Sequence, residues 1–268
     1  MKKRFAVMGN PIAHSLSPYI HQRFAELLGI QLDYEKILIA EESNFEEEVR
    51  VFFDKGGKGL NITLPFKQNA FTLAARKTER CTQAKAANTL WVNDNELWAD
   101  NTDGIGLIRD LSTHVDLSGK QVLLLGAGGA ARGIVGPLLA GGIASMTLVN
   151  RNQEKAKNLQ SEYKQIQCLS MEELKTSYDL VINATSASLS TERMALSPFI
   201  LKSTTLCYDL AYSRTDKTTF VKWASEQGVV GIDGLGMLVE QAAESFYIWH
   251  GIRPDSAKVL QELKSSQI

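Results

Sequence analysis

The sequence predicts an α/β protein with two domains, the second of them a doubly wound parallel sheet. The stretch 120–151 runs from an apolar strand, Gln121–Leu125, through a glycine turn and a helical segment into a second strand, 146–149. Short apolar strands alternate with helical segments along the rest of the chain, as in domains built from βαβ units. The length of 268 residues suffices for about two such domains.

The glycine turn has the residue types of a pyrophosphate-binding loop. Gly126 permits the sharp turn off the strand, and Gly128 lacks a Cβ, so that a pyrophosphate can approach the backbone. Ala131 lets the following helix pack on the sheet, and the helix N-terminus offers free N–H groups. An ordinary β-to-α turn is the alternative, but the second strand at the right distance favours a dinucleotide site. The predicted contacts are Gly126, Ala127, Gly128, Gly129 and Ala130.

The end of the second strand indicates which dinucleotide is bound. NAD-preferring sites place an acidic residue there, where it bonds the ribose 2′-hydroxyl. This chain has Asn150 and Arg151, followed by Asn152 and Lys155. Two cations favour a 2′-phosphate, so the predicted cofactor is NADP and the domain is a Rossmann-type NADP-binding domain. A surface-exposed arginine without such a role is the alternative.

Composition excludes several classes of protein. The net charge of −1 gives no pull toward nucleic acid or anionic membranes, and no apolar run approaches the ~20 residues of a membrane span. Gly9 interrupts the N-terminal apolar stretch too early for a signal peptide. Three separate cysteines and four histidines lack metal-ligand spacing, so we expect no metal and a cytoplasmic location.

Local signals assign elements throughout the chain. Ser17 before Pro18 predicts a helix N-cap, and Ser43 with Glu46 predicts a capping box. The predicted strands are 4–8, 32–38, 59–64, 88–92, 96–99, 121–125, 146–149, 165–168, 179–184, 206–210 and 229–232. The predicted helices are 17–28, 43–53, 72–80, 105–112, 134–139, 154–163, 218–227, 237–250 and 256–263, with a capped turn at 170–173.

Several polar residues of the first domain follow strands, where ligands bind in open α/β sheets. A lysine beside a carboxylate can move a proton to or from a hydroxyl, so Lys67 and Asp103 are the candidate proton-handling pair. Each residue also has an ordinary structural explanation, such as capping or strand-edge bonding, and the prediction depends on the set. The set is Ser15, Ser17, Asn61, Thr63, Lys67, Asn88 and Asp103.

Ordered motifs along nearly the whole chain resemble those of shikimate dehydrogenases. The matching segments are 9–18, 59–67, 87–89, 100–104, 126–131, 150–151, 183–186, 208–212 and 233–242. The chain departs from the family pattern at 187–190, where a glycine is usual, and at Leu210, where methionine is usual.

The resemblance implies reversible hydride transfer between NADPH and the C3 carbonyl of 3-dehydroshikimate, a step of aromatic amino-acid biosynthesis. It implies a substrate-binding and catalytic domain at 1–103, completed by C-terminal helices at 236–268, and an NADP-binding domain at 104–235. By the same resemblance Ser15 and Ser17 bind the substrate carboxylate, and Lys67 and Asp103 hold the reacting oxygen. The other implied substrate contacts are Asn61, Thr63, Asn88, Tyr212 and Gln241, and the other implied cofactor-side residues are Glu79, Thr185, Leu210 and Gly234.

Two alternatives stay open. An NAD-using quinate/shikimate dehydrogenase is opposed by Asn150 and Arg151, and a non-catalytic cofactor-binding relative is opposed by the retention of Lys67 and Asp103. The expected partner is a small-molecule substrate, with neither nucleic acid nor membrane. Whether the chain is a monomer or a homodimer, whether it uses quinate, and how Lys67 and Asp103 divide the proton transfer are left open.

Overall fold

Two units make up the chain, and the structure, a computed structural model, describes residues 2–40, 44–185 and 196–265. Residues up to Gly106 and from Leu238 onward form the first unit, and Leu107–Met237 form the second. The predicted capping residue Ser43 and the unusual segment 187–190 lie outside the described residues. Within the described ranges, no helix combines the length and the apolar character needed to cross a membrane.

The first unit contains a six-stranded mixed sheet in the order β2-β1-β3-β5-β6-β4. Its β2-β1-β3 part is parallel, whereas β5 pairs antiparallel with β3 and with β6. Its elements are β1 (Lys3–Gly9), α1 (Ser17–Leu28), β2 (Leu32–Leu38), α2 (Phe45–Asp54), β3 (Gly57–Ile62), α3 (Lys67–Leu73), β4 (Arg76–Lys77), α4 (Glu79–Ala84), β5 (Thr89–Asn93), β6 (Glu96–Asp100) and the start of α5 (Asp103–Leu111), with most of α9 (Leu235–His250) and all of α10 (Ser256–Ser265).

The second unit contains a six-stranded, wholly parallel sheet in the order β12-β11-β10-β7-β8-β9. Its elements are β7 (Gln121–Leu125), α6 (Gly129–Ala140), β8 (Ser145–Val149), α7 (Gln153–Glu162), β9 (Ile166–Leu169), β10 (Tyr178–Asn183), β11 (Leu201–Asp209), α8 (Thr219–Glu226) and β12 (Val230–Ile232). Successive strands run outward in both directions from the β7–β10 pair. This is the doubly wound order, and ligands bind at the carboxyl ends of the strands where the order reverses. The predicted fold class is confirmed.

Two local predictions are wrong. The predicted helix 72–80 is instead the end of α3, the short strand β4 and the start of α4, because β4 pairs with Trp98 and Ala99 of β6. Ser17 is not the N-cap of α1. The carbonyl of Leu16 already accepts the helical bond from the Ile20 N–H, so the helix begins one residue earlier and no side chain caps it.

A buried histidine belongs to the aromatic core of the first unit. His21 is 0% exposed, and its ring stacks on that of Tyr34 with the ring centroids 4.4 Å apart. Neither ring nitrogen has a hydrogen-bond partner among the described residues. Burial, with His250 nearby as the second cause, lowers the pKa of His21 to about 3. The folded chain therefore holds this ring neutral.

We expect His21 to make the first unit acid-sensitive. The unfolded chain protonates this residue below pH 6.5 and the folded chain only near pH 3, so stability falls as pH drops through that interval. The loss attributable to His21 at pH 5 is about 2 kcal/mol. His21→Phe should reduce the change in the free energy of unfolding between pH 8 and pH 5 by that amount.

Urea titration followed by tryptophan fluorescence measures this difference, because three of the four tryptophans lie in the first unit. Any strain from the larger phenylalanine ring acts at both pH values and cancels in the comparison. An unchanged pH dependence in His21→Phe would contradict the assignment.

Candidate active site

A close ion pair occupies the first unit. Lys67 is the first residue of α3 and Asp103 the first residue of α5, and the Nζ–Oδ2 distance is 2.6 Å. The two side chains are 14% and 6% exposed. A carboxylate at the start of a helix is stabilised by the free N–H groups there. The arrangement offers a lysine amine, a candidate proton donor, held by a carboxylate, and the lysine is the more exposed of the two.

Asn88 fixes the orientation of the Asp103 carboxylate. The backbone N–H of Thr102 donates to Asn88 Oδ1 at 2.8 Å, and a backbone donor cannot exchange its role. The amide must therefore present its Nδ2 to Asp103 Oδ1, 2.9 Å away. Asp103 accordingly accepts one bond from Asn88 and one from Lys67, which uses both carboxylate oxygens. These two bonds fix the position of the Asp103 carboxylate beside Lys67.

Gln241 on α9 meets the same group of residues. Its Oε1 accepts a bond from Asn88 Nδ2 at 3.1 Å, and its Nε2 donates to the Leu238 carbonyl. A Cβ on Gly106 would lie 2.8 Å from Gln241 Cβ, so the glycine allows α5 and α9 to approach closely at this point. The sequence motifs carrying Lys67, Asn88, Asp103 and Gln241 thus converge on one cluster.

Ser15 and Ser17 form a second polar group at the start of α1. Their Oγ atoms are 3.2 Å apart, and the Ser17 N–H donates to Ser15 Oγ at 3.3 Å. No acidic residue lies in the first turn and no side chain caps this 12-residue helix. A helix N-terminus of this kind, with two hydroxyls beside it, suits a carboxylate.

Asn61 and Thr63 lie on and just after β3. The Asn61 side chain is already engaged, because its Oδ1 accepts from the Tyr34 hydroxyl at 2.7 Å and its Nδ2 donates to Ser245 Oγ at 3.0 Å. Thr63 packs against Gly9, where an added Cβ would lie 2.3 Å from Thr63 Cγ2. Asn61 is therefore placed to orient its neighbours, whereas Thr63 is partly exposed.

The glycine turn in the second unit fits a bound pyrophosphate. Gly126 has φ +105°, in the region that favours glycine, and a Cβ there would lie 3.0 Å from the Ala184 carbonyl oxygen. A Cβ on Gly128 or Gly129 would meet no described atom within 4 Å, so space lies in front of the loop. Gly128 is the N-cap of α6 and has no capping side chain, which leaves N–H donors for an anion. The adjoining Ala127 and Ala130 complete the loop.

Asn150 ties this loop to the end of β8. Its Oδ1 accepts from the Ala127 N–H at 3.1 Å and its Nδ2 donates to the Asn152 carbonyl at 2.7 Å. Asn152 caps α7 by accepting from the Lys155 N–H. Arg151 and Lys155 are both exposed. Their charges are available to a phosphate beside the loop. The side chains of Asn150 and Asn152 instead bond backbone groups of the loop and of the start of α7.

The remaining predicted site residues lie at the carboxyl ends of β10 and β11, at Gly234, and, for Glu79, on α4. Thr185 donates from Oγ1 to Asn183 Oδ1 at 2.7 Å, and the Leu210 N–H donates to the Asn183 carbonyl. A Cβ on Gly234 would lie 2.3 Å from the Leu210 carbonyl oxygen, so glycine is required there. Tyr212 follows two residues after Leu210 in the second unit. Glu79 is exposed in the first turn of α4 in the first unit.

Sequence reasoning missed four buried hydroxyl residues beside this cluster. Thr89 and Thr102 stand next to predicted site residues within the matching segments, and Ser245 follows Gln241 by one helical turn. The i, i+4 spacing on α9 is a signal that could have identified Ser245. Tyr34 is an inward-facing residue of β2, and its place two residues after Leu32 in the predicted strand was the available sequence signal.

Comparison with known proteins finds relatives over nearly the whole chain. Three family models match the chain: "Shikimate dehydrogenase substrate binding domain" over residues 7–90, "Shikimate / quinate 5-dehydrogenase" over 110–237, and "Shikimate 5'-dehydrogenase C-terminal domain" over 234–264. A protein of Legionella pneumophila (strain Lens) named "Shikimate dehydrogenase (NADP(+))" is 53% identical over 99% of this chain and 100% of its own length.

Two solved structures are also similar. An Ael1 enzyme from Pseudomonas putida has a TM-score of 0.91 at 43% identity, with 100% of both chains covered. The shikimate 5-dehydrogenase of Thermus thermophilus, in complex with NADP(H) and shikimate, has a TM-score of 0.88 at 29% identity, with 98% of both chains covered.

The fold and the polar groups define a two-domain α/β oxidoreductase with a dinucleotide-binding parallel sheet. The matches cover nearly the whole chain at high identity. The chain belongs to the shikimate dehydrogenase family, as the sequence motifs predicted.

Proposed function

We propose that this chain catalyses the reversible, NADPH-dependent reduction of 3-dehydroshikimate to shikimate. The observation that carries the proposal is the Lys67–Asp103 ion pair, 2.6 Å long and largely buried, in the unit that matches a substrate-binding family. The names of relatives and the ligands of the Thermus thermophilus structure support NADP and shikimate as the pair of ligands. We place the enzyme in the cytoplasm, where its three separate cysteines would stay reduced.

Lys67 and Asp103 handle the proton of the reacting oxygen. NADPH, when bound, supplies the hydride that converts the C3 carbonyl carbon into a CH–OH carbon. Lys67 Nζ donates a proton to the carbonyl oxygen as negative charge develops on it. Asp103 keeps Lys67 in place, and Asn88 prevents the carboxylate from turning away. In the oxidative direction the same nitrogen takes the proton back.

The other polar groups of the first unit bind the substrate. Ser15 and Ser17 receive the carboxylate at the start of α1, where the helix end favours negative charge. Asn88, Gln241 and Thr63 are assigned to the ring hydroxyls, together with Tyr212 of the second unit. Asn61 supports the site from within, because its side-chain bonds are made to protein groups.

The second unit holds the cofactor. The pyrophosphate is assigned to the backbone of the glycine turn, from Gly126 to Ala130, and the 2′-phosphate to Arg151 and Lys155. Thr185, Leu210 and Gly234 at the ends of β10 and β11, with Glu79 of the first unit, are assigned to the nicotinamide side.

Steady-state assays with each pairing of NADP or NAD with shikimate or quinate test this function. We expect the highest kcat/KM for NADP with shikimate. Arg151→Ala should lower kcat/KM for NADP by about tenfold to a hundredfold, because it removes a charge-assisted bond of about 1.5–3 kcal/mol, and should change kcat/KM for NAD little.

Lys157→Ala is the matched control, since Lys157 is an exposed cation on α7, the helix that follows Arg151. A higher kcat/KM for NAD than for NADP in the wild type would contradict the assignment of Arg151 and Lys155 to a 2′-phosphate. A higher kcat/KM for quinate than for shikimate would identify quinate as the preferred substrate. No turnover with any pairing would leave a non-catalytic cofactor-binding protein.

A further inference from the structure

A continuous set of buried polar groups runs from Tyr34 on β2 to Asn88 in the candidate substrate site. We call it the hydroxyl network, and it consists of Tyr34, Asn61, Thr89, Thr102 and Ser245. All five lie in the first unit, and they are 8%, 6%, 0%, 0% and 0% exposed, respectively. None of them faces solvent, so their polar groups depend on one another for hydrogen bonds.

One end of the network is Tyr34 on β2. The Tyr34 hydroxyl donates to Asn61 Oδ1 at 2.7 Å. Burial raises the pKa of Tyr34 well above its usual range. Asn61 continues the path by donating from Nδ2 to Ser245 Oγ at 3.0 Å. Tyr34 of β2 is thereby connected to α9.

The other end reaches Asn88. Ser245 Oγ lies 2.7 Å from Thr89 Oγ1 and 3.2 Å from Thr102 Oγ1. Both threonine hydroxyls donate to Asn88 Oδ1, at 2.9 Å and 3.2 Å. Asn88 Nδ2 in turn donates to the Asp103 carboxylate at 2.9 Å. The path therefore ends on the residue that positions Lys67.

We propose that Thr89, Ser245 and Tyr34 are positioning residues for this reaction, holding Asn88 in a fixed orientation through the hydroxyl network. Because these hydroxyls are buried, removal of one leaves the polar atoms that it bonded without that partner. The groups would then rotate to recover bonds, and Asn88 would follow. The inference rests on the proposed function, because its readout is turnover of shikimate.

Thr89 allows a clean separation of hydrogen bonding from packing. Valine keeps the shape of threonine and removes the hydroxyl, whereas serine keeps the hydroxyl and removes the methyl group. We expect Thr89→Val to lower kcat about tenfold or more and Thr89→Ser to stay within about threefold of wild type, since a lost bond of about 1.4 kcal/mol is a factor of ten. KM for NADP should stay within about twofold of wild type in both, because all five residues of the network belong to the first unit and the residues of the glycine turn to the second.

A second pair of variants tests the proposal if Thr89→Val does not fold. Ser245→Ala removes a network hydroxyl, and Ser256→Ala removes a hydroxyl of the same unit that bonds Glu240 outside the network. Thermal melting identifies the folded variants. If Thr89→Val does not fold, an activity loss in Ser245→Ala but not in Ser256→Ala supports the proposal.

Equal losses in Thr89→Val and Thr89→Ser, or normal kcat in folded Thr89→Val and Ser245→Ala, would overturn the proposal. Wild-type protein is assayed first with shikimate and NADP, so failure of the proposed function is recognised separately. If the wild type shows no turnover, the affinity for shikimate is measured by tryptophan fluorescence on the same variants. Thr89→Val should then bind shikimate more weakly than Thr89→Ser, and Ser245→Ala more weakly than Ser256→Ala.

Discussion

Replacement of Lys67 by alanine lowers kcat by about 10²-fold or more, the contribution expected of a general acid or base. The reason is geometric, because Lys67 Nζ donates to Asp103 Oδ2 at 2.6 Å, and its removal takes away the proposed proton donor while Asp103 keeps its bond from Asn88. KM for NADP should stay within about twofold of the wild-type value, because Lys67 is not one of the residues assigned to the cofactor. Steady-state kinetics in both directions measure the effect.

Lys58→Ala is the matched control, since Lys58 is an exposed lysine on β3 of the same unit. Its kcat should equal that of wild type. Near-normal kcat in Lys67→Ala would remove this residue from proton transfer. A large rise in KM for shikimate with unchanged kcat would give it a binding role instead.

The second unit was predictable from the sequence because local signals and tertiary structure agree there. The strand Gln121–Leu125 has the same bounds in prediction and structure, since a continuous apolar run flanked by turn residues suits a strand buried on both faces. The turn at Gly126 and the end of β8 before Asn150 were also placed correctly. In parallel sheets the order of elements along the chain largely determines the fold.

The first unit was harder to predict because long-range pairing overrides local propensity there. Residues 72–80 have helical composition, yet Arg76 and Lys77 extend to pair with β6 about twenty residues further along the chain. Thr78, whose side chain accepts from the Cys81 N–H, was a local sign that a new helix starts at Glu79. The N-cap predicted at Ser17 was one position too late, because Leu16 already adopts helical backbone angles.

The candidate site was predictable as a set of residues but not as an arrangement. The motifs supply Lys67, Asn88 and Asp103, and only the tertiary structure brings them into hydrogen-bond contact with Gln241. The direction of the Asn88 amide is set by the backbone of Thr102, and a sequence cannot specify that. The hydroxyl network could not be predicted as an arrangement either, because its hydrogen bonds join residues up to 184 positions apart in the chain.

The structure also separates two kinds of polar residue that the motifs present as one. Asn61 and Asn150 occur in binding motifs, but the hydrogen bonds of both go to protein groups. They shape the places where ligands are bound, whereas Ser15, Arg151 and Lys67 retain exposed or partly exposed polar heads. Substitution of the first kind should alter geometry, and substitution of the second kind should remove a direct contact.

Asp103→Asn should lower kcat by about 10²-fold or more even though the new side chain has the same shape. Asn88 can only donate to this position, so the carboxamide oxygen must face Asn88 and the carboxamide NH₂ must face Lys67. Two donors would then oppose each other at a separation that is 2.6 Å in the native pair. The lysine would be displaced, and the proton would no longer be held beside the reacting oxygen.

The double variant Lys67→Ala, Asp103→Asn decides whether the pair acts as a unit. If Asp103 acts through Lys67, the double variant should be about as slow as the slower single variant, because residues that act together give non-additive losses. Multiplied losses would instead assign separate steps to the two residues, with Asp103 contacting the reacting oxygen on its own. Rapid-mixing measurement of a single turnover keeps product release out of the comparison, so the ratio reports the chemical step on which the two residues are proposed to act.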